Sequence, residues 1–210
     1  MAKSNKPTAP LTASISYEQL TQHWSVFETQ ILALLDTLDL ADKALFCDHV
    51  ALRVNSIASA DALREAFSRM GNIISDNIIN GRPILIIELD TPLTLGQFSI
   101  ECVELPYPSD KAYPQEGWEH IELVIESTAE DCQTLSQDLI TLCPTLKPLL
   151  QPAPSTPEFE LYQAIKVKMS SPKGDKERLA NPTIAFKRDN VCIKVHSHGI
   201  KAVIASEQLT

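Results

Sequence analysis

Asp48-His49-Val50-Ala51-Leu52-Arg53-Val54 and Glu119-His120-Ile121-Glu122-Leu123-Val124-Ile125 are near-copies of one another. Each reads acid, His, β-branched residue, any residue, Leu, any residue, β-branched residue, and the two histidines lie 71 positions apart. That spacing is too long for a solenoid repeat but suits the duplication of one small βα module. Two modules related by a rotation carry their histidines to equivalent places, where both rings can converge on one point. Strand alternation then assigns faces. Around the first copy, Cys47, His49, Ala51, Arg53 and Asn55 share one face, opposite Asp48, Val50, Leu52 and Val54. Around the second, Trp118, His120, Glu122 and Glu126 share one face, opposite Ile121, Leu123 and Ile125. In both copies the apolar face can pack under helices. The histidine face is left to line either bulk water or a shared cavity.

Outward from these strands, each copy opens a module. After Phe46–Asn55, Ser59 is expected to cap a helix with Ala62, Leu63, Ala66, Phe67 and Met70 as its inner stripe, ended by Gly71. Three β-rich runs follow, at 73–79, 82–89 and 98–105, separated by Asn80-Gly81 and Thr91-Pro92. The order β-α-β-β-β is expected to recur as strand 118–126, helix 129–142 closed by Pro144, and strands 158–169, 183–187 and 191–196, with a hairpin turn at Asp189-Asn190. Prolines crowd 148–157, a loop or edge, and 171–181 reads as a charged loop. Ahead of the repeats, Ser16 and Gln19 resemble a capping box opening a long helix over 17–38, with Leu20, Trp24, Phe27, Ile31, Leu34 and Leu35 at helical spacing. The expected organisation is a tail and helical extension (1–45), a first module (46–105), a connector (106–117), and a second module with a C-terminal tail (118–210), all in one compact domain. Residues after His196 carry no assignment. The fold class is α+β.

Composition narrows the function. A net charge of −9 without a basic cluster disfavours a nucleic-acid groove or an anionic membrane surface, both of which need excess Lys and Arg. Apolar runs such as 84–89 are far short of a membrane span, and residues 1–16 hold no apolar core of a secretory signal. Five widely spaced cysteines, with no C-x-x-C pair, read as buried thiols of a reducing compartment. The expected location is the cytoplasm, and the expected partner is a small molecule, with the chain a monomer or homodimer.

Two imidazoles holding a divalent metal need at least one carboxylate and an open position for substrate. The last strand of the first module offers Glu101 and Glu104. Three positions apart, they point to opposite faces of an unbroken strand; polarity favours Glu101, and a bulge would change the choice. The equivalent strand of the second module, Val191-Cys192-Ile193-Lys194-Val195-His196, has no carboxylate. Lys194 cannot ligate while protonated and is suited to an anionic substrate. His196 is a candidate fourth ligand.

The segments His49-Val-Ala-Leu-Arg-Val, Val103-Glu-Leu-Pro-Tyr-Pro-Ser-Asp-Lys and Trp118-Glu-His-Ile-Glu-Leu resemble the vicinal oxygen chelate superfamily, which holds glyoxalase I, extradiol dioxygenases and antibiotic-sequestering proteins. The longer phrase from Cys102 through Lys111, followed by Tyr113-Pro-Gln-Glu-Gly-Trp-Glu-His-Ile-Glu, is similar to the YecM family of bacterial proteins. The resemblance implies paired βαβββ modules curling around one metal cup. It implies His49, Glu104 and His120 as ligands, which sets Glu104 against the polarity reading. The superfamily's usual fourth carboxylate falls near Lys194, so the expected site is nearer the oxygenase arrangement of two histidines and one carboxylate.

The functional expectation is a small metalloenzyme (an isomerase, lyase or dioxygenase-like catalyst) using Zn, Ni, Fe, Mn or Co on a substrate with adjacent oxygens. Glu122 would act as base, or would orient a metal ligand; Arg53, Lys194 and Trp118 would bind substrate. The alternatives are a non-catalytic protein that binds or sequesters a small molecule in the same cup, and an adaptor that docks partners on its N-terminal helix.

Overall fold

A computed structural model describes residues 15–151, 164–171 and 178–207. Among these residues the order is α1 (Tyr17–Thr37), β1 (Phe46–Arg53), α2 (Ile57–Phe67), β2 (Gly71–Ile79), β3 (Arg82–Leu95), β4 (Phe98–Pro106), β5 (Gly117–Val124) and α3 (Cys132–Leu142). A 3-10 turn (Pro144–Leu146), α4 (Lys147–Leu150), β6 (Lys166–Ser170), β7 (Thr183–Arg188), β8 (Val191–His196) and α5 (Ile200–Glu207) complete it. The strands form one mixed, curled, unclosed sheet in the order β2-β3-β4-β1-β5-β8-β7-β6. Each half pairs its first strand in parallel with its last, β1 with β4 and β5 with β8. The halves meet where β1 and β5 run antiparallel.

The capping box is present: Ser16 Oγ accepts from the Gln19 amide, and Gln19 Oε1 accepts from the Ser16 amide. From it α1 buries Leu20, Phe27, Ile31, Leu34 and Leu35 against the sheet. The apolar strand faces, with Val50, Leu52, Val54, Ile121, Leu123 and Ile125, join the same core as Leu63 and Phe67 of α2 and Leu135 and Leu139 of α3. That is the face that parity assigned to helices.

Several boundaries differ from the sequence expectation, each for a local reason. Helix α2 begins three residues early because Ser56, not Ser59, is the cap, its Oγ accepting from the Ser59 amide. Gly71 opens β2 instead of closing a helix. A Cβ there would lie 2.1 Å from the Glu88 carbonyl oxygen, so only glycine lets the two strands approach. Strand β3 continues through Thr91-Pro92, where a register shift between Glu88 and Leu93 lets the chain bend without ending its pairing. Helix α3 starts at Cys132, since Asp131 accepts from the amides of Gln133 and Thr134. The strand expected over 158–169 is seen as Lys166–Ser170, and its first part lies outside the described residues. Helix α5, in the unassigned C-terminal stretch, lies on the opposite face of the sheet from α1. Its Ile200 and Ile204 pack with Ile84, Ile86 and Cys102. No helix among the described residues is long and apolar enough to cross a membrane.

Candidate metal centre

Register places the cup residues in two adjacent rows that cross the sheet. Glu88, Cys102, His49, Glu122, Lys194, Ala185 and Lys168 stand opposite one another on β3, β4, β1, β5, β8, β7 and β6. The next row, in the same strand order, is Ile86, Glu104, Ala51, His120, Cys192, Lys187 and Lys166. Directly paired residues share a face, so His49, Glu122, Glu104 and His120 occupy one patch, with the small Ala51 as floor between the last two. One donor atom from each of these four lies within 4.8 Å of the others. The His49 and His120 ring centroids are 6.4 Å apart.

Two bulges in the central seam do the aiming. Opposite Leu123 and Glu122 stand Cys47 and His49, so Asp48 is the extra residue of β1; opposite Ala51 and Leu52 stand His120 and Trp118, so Glu119 is the extra residue of β5. A bulge redirects the inserted side chain. Each acid thereby reaches the ring that follows it: Asp48 Oδ2 is 2.9 Å from His49 Nδ1, and Glu119 Oε2 is 3.5 Å from His120 Nδ1. The acid of the repeated acid-His pair was visible in the sequence, but its part in orienting the imidazole was not assigned there. Asp48 also accepts from the Ile200 amide of α5 at 2.8 Å, and Arg53 is paired with Glu119 while lying over the Tyr113 ring.

The second bulge also corrects a face assignment. It turns Trp118 away from His120 and onto the core side, 4.8 Å from the Trp24 ring, with its indole N–H donating to the Leu20 carbonyl. Trp118 and Arg53 do share the lining of a hollow of about 290 Å³ with Phe27, His23 and Asn190. Any substrate role for Trp118 rests on that hollow and not on the cup. The Glu101–Glu104 alternative is resolved by another parity change. Ile100 and Val103 both pack in the main core, so β4 switches faces between them. Glu104 then lies 3.6 Å from His49 Nε2, while Glu101 pairs with Lys201 at the surface.

Glu122 is the most connected carboxylate. Its Oε1 accepts from Lys194 Nζ at 2.6 Å and lies 3.1 Å from His120 Nε2 and 3.6 Å from His49 Nε2; its Oε2 is 3.3 Å from His196 Nε2. In the pseudo-symmetric comparison of β1/β4 with β5/β8, Lys194 stands where the first half has Glu104, and Glu122 stands where it has Ala51. The second half's carboxylate has thus moved one strand sideways along the same row. His196 is outside the group of four, behind Glu122, with Nδ1 3.2 Å from the Asn181 amide nitrogen.

The electrostatics are those of a cage for a cation. Burial alone would raise the Glu104 pKa, but the His49 contact and the Lys194 charge outweigh it and bring the value to about 2. Burial likewise opposes ionisation of Glu122 and is outweighed by Lys194 and His49, leaving it well below the ordinary carboxylate range. Burial and the Lys194 charge push His120 down to about 4, so that ring is neutral near pH 7. His49 is held well above its ordinary value; burial opposes this, and Glu122 and Asp48 prevail. Lys194 is raised to about 12, Glu122 and Glu104 outweighing its burial. His49 Nε2 is buried and has no hydrogen-bond partner, although it faces two carboxylates. With Nδ1–H directed at Asp48, loss of the second ring proton would leave the Nε2 lone pair facing a cation, and a carboxylate behind an imidazole is how proteins orient a ligating histidine. Two imidazoles and two carboxylates suit a first-row divalent metal. The His/Glu cluster could therefore hold a metal ion.

A model of the YecM protein family matches residues 16–207. The Escherichia coli Protein YecM is 40% identical over 164 residues, covering 78% of this chain and 79% of its own length. An uncharacterised protein of Haemophilus influenzae is 36% identical over 189 residues, covering 87% and 90%. Among solved structures, Protein EC4020 superposes with a TM-score of 0.74 at 31% identity, over 98% of this chain and 100% of that one. The chain belongs to the YecM family.

Proposed function

We propose that this chain is a divalent-metal enzyme of the vicinal oxygen chelate type, acting on a small oxygen-rich molecule in the cytoplasm as a monomer or homodimer. The observation that carries the reading is the buried, unpartnered Nε2 of His49, backed by Asp48 and meeting Glu104, His120 and Glu122 within one coordination sphere. His49, Glu104 and His120 would hold Zn, Ni, Fe, Mn or Co beside Glu122, and the ion would supply Lewis acidity toward two adjacent substrate oxygens. Lys194 holds Glu122 ionised through Oε1, and His196 Nε2 lies 3.3 Å from Oε2. Glu122 is then the carboxylate placed to take a proton from substrate. The N–H of the Arg53 guanidinium fixes Glu119, and through it the His120 ring.

Metal analysis of protein purified without chelators tests this. One equivalent of a first-row metal is expected, lost in both His49→Ala and His120→Ala, with reaction type then read from isomerase and oxygenase assays on α-hydroxy and α-keto acids. Metal-free protein that takes up none of the five ions on reconstitution would overturn it.

A further inference from the structure

The two halves of the cup are furnished differently, and the difference selects a ligand. On the β3–β4 side the cup face is filled: α5 sets Ile200 and Ile204 onto Ile84, Ile86 and Cys102, and Lys201 bridges Glu88 and Glu101. On the β8–β7–β6 side, register gives the cup-facing residues as Cys192, Lys194 and His196, then Thr183, Ala185 and Lys187, then Lys166, Lys168 and Ser170. None of these nine is acidic, and four are lysines, in a chain whose net charge is −9. Lys166, Lys168 and Lys187 are exposed. Lysines on an edge strand also discourage unwanted strand pairing, which would account for β6. Lys187 and Lys194 lie inside the sheet, where no such need exists. The same two rows that carry Glu122 and His120 lead directly into these lysines.

Resting on the metal-centre reading above, we infer that the substrate enters from the β8–β7–β6 side. It carries adjacent oxygens at one end and a second anionic group at the other, seated on the Lys187, Lys168 and Lys166 face. Strands lie about 4.8 Å apart, so β7 is about 10 Å from β5. A three-carbon acid with a terminal anion, met by extended lysine side chains, spans that distance. Lys194, already committed to Glu122, marks the boundary between the two parts.

The test compares 3-phosphoglycerate with lactate, which share an α-hydroxy acid and differ by the terminal phosphate, by calorimetric titration into Mn²⁺-loaded protein. The phosphorylated acid is expected to bind at least about tenfold more tightly at low salt, an advantage that shrinks as salt screens exposed charges. The variant K166Q/K168Q/K187Q should abolish the advantage and leave Mn²⁺ stoichiometry unchanged. Equal affinities for the two acids, or an advantage that survives in the triple variant, overturn the inference. If wild-type protein binds no Mn²⁺, the titrations use another of the five ions, and the metal reading fails separately when none of them binds. A phosphate preference retained by ion-free protein and lost in the triple variant would still support the lysine face, and its absence there would overturn it.

Discussion

Replacing Asp48 by Asn tests the whole construction of the centre at one atom. Asp48 is 4% exposed and its Oδ2 receives two donors, His49 Nδ1 at 2.9 Å and the Ile200 amide at 2.8 Å. Asparagine keeps the shape but carries no charge, and both donors converge on the one position that its carbonyl oxygen or its NH2 group must fill. With the oxygen there both bonds survive and only the charge behind His49 is lost; with the NH2 there both donors are orphaned. Loss of a carboxylate behind a ligating imidazole costs about 10- to 100-fold in metal affinity, or roughly 1.4–2.8 kcal/mol at 1.4 kcal/mol per decade. In the second case each buried donor left unsatisfied costs about 1–3 kcal/mol of fold stability. In a chain of this size each kcal/mol lowers Tm by about 2–4 °C. Competition titrations against a chromogenic chelator read the first effect, and thermal unfolding of the ion-free protein reads the second. A D48N variant with metal affinity within a factor of two of wild type would refute the argument that the acid-His bulge prepares the ligand.

Further outcomes separate neighbouring residues. Glu104→Gln should abolish stoichiometric metal uptake, whereas Glu101→Gln should leave it intact and change stability by no more than about 1 kcal/mol, since its pair with Lys201 is exposed; matching metal analyses of the two variants decide. Metal affinity should rise with pH, because His49 is held above its ordinary pKa and must shed a proton to ligate; a titration series showing flat or falling affinity from pH 5.5 to 8 would contradict this. Glu104 titrates at about 2 in the folded chain against 4.5 as an ordinary carboxyl, so its contribution to stability is full above 4.5 and lost as pH falls toward 2. Denaturant midpoints of ion-free E104Q and wild type should accordingly converge with acidification. Trp118→Phe should lower stability by about 1–2 kcal/mol through the lost bond to Leu20 and thinner packing, yet leave metal uptake unchanged.

The repeated His strands alone revealed the halves, the apolar faces and the convergence of His49 with His120, because each follows from period-2 alternation acting on strongly patterned segments. What alternation could not reveal is where it breaks. The bulges at Asp48 and Glu119 and the parity change after Ile100 moved Trp118 into the core and Glu104 into the cup, and a bulge has no signature in the pattern of a single strand. The resemblance supplied Glu104 through its flanking phrase where polarity pointed to Glu101. Glu122 beside the two histidines depended on pairing across the β1–β5 seam, which is tertiary information. Helix α5 escaped because its short apolar stripe serves only the small cluster in the cup.

The antiparallel seam between β1 and β5 has a mechanical consequence. Donors for the ion come from β1, β4 and β5, hence from both duplicated halves. An occupied cage would act as a rivet driven through the join, so that neither half could swing open alone and the two would melt as one cooperative body.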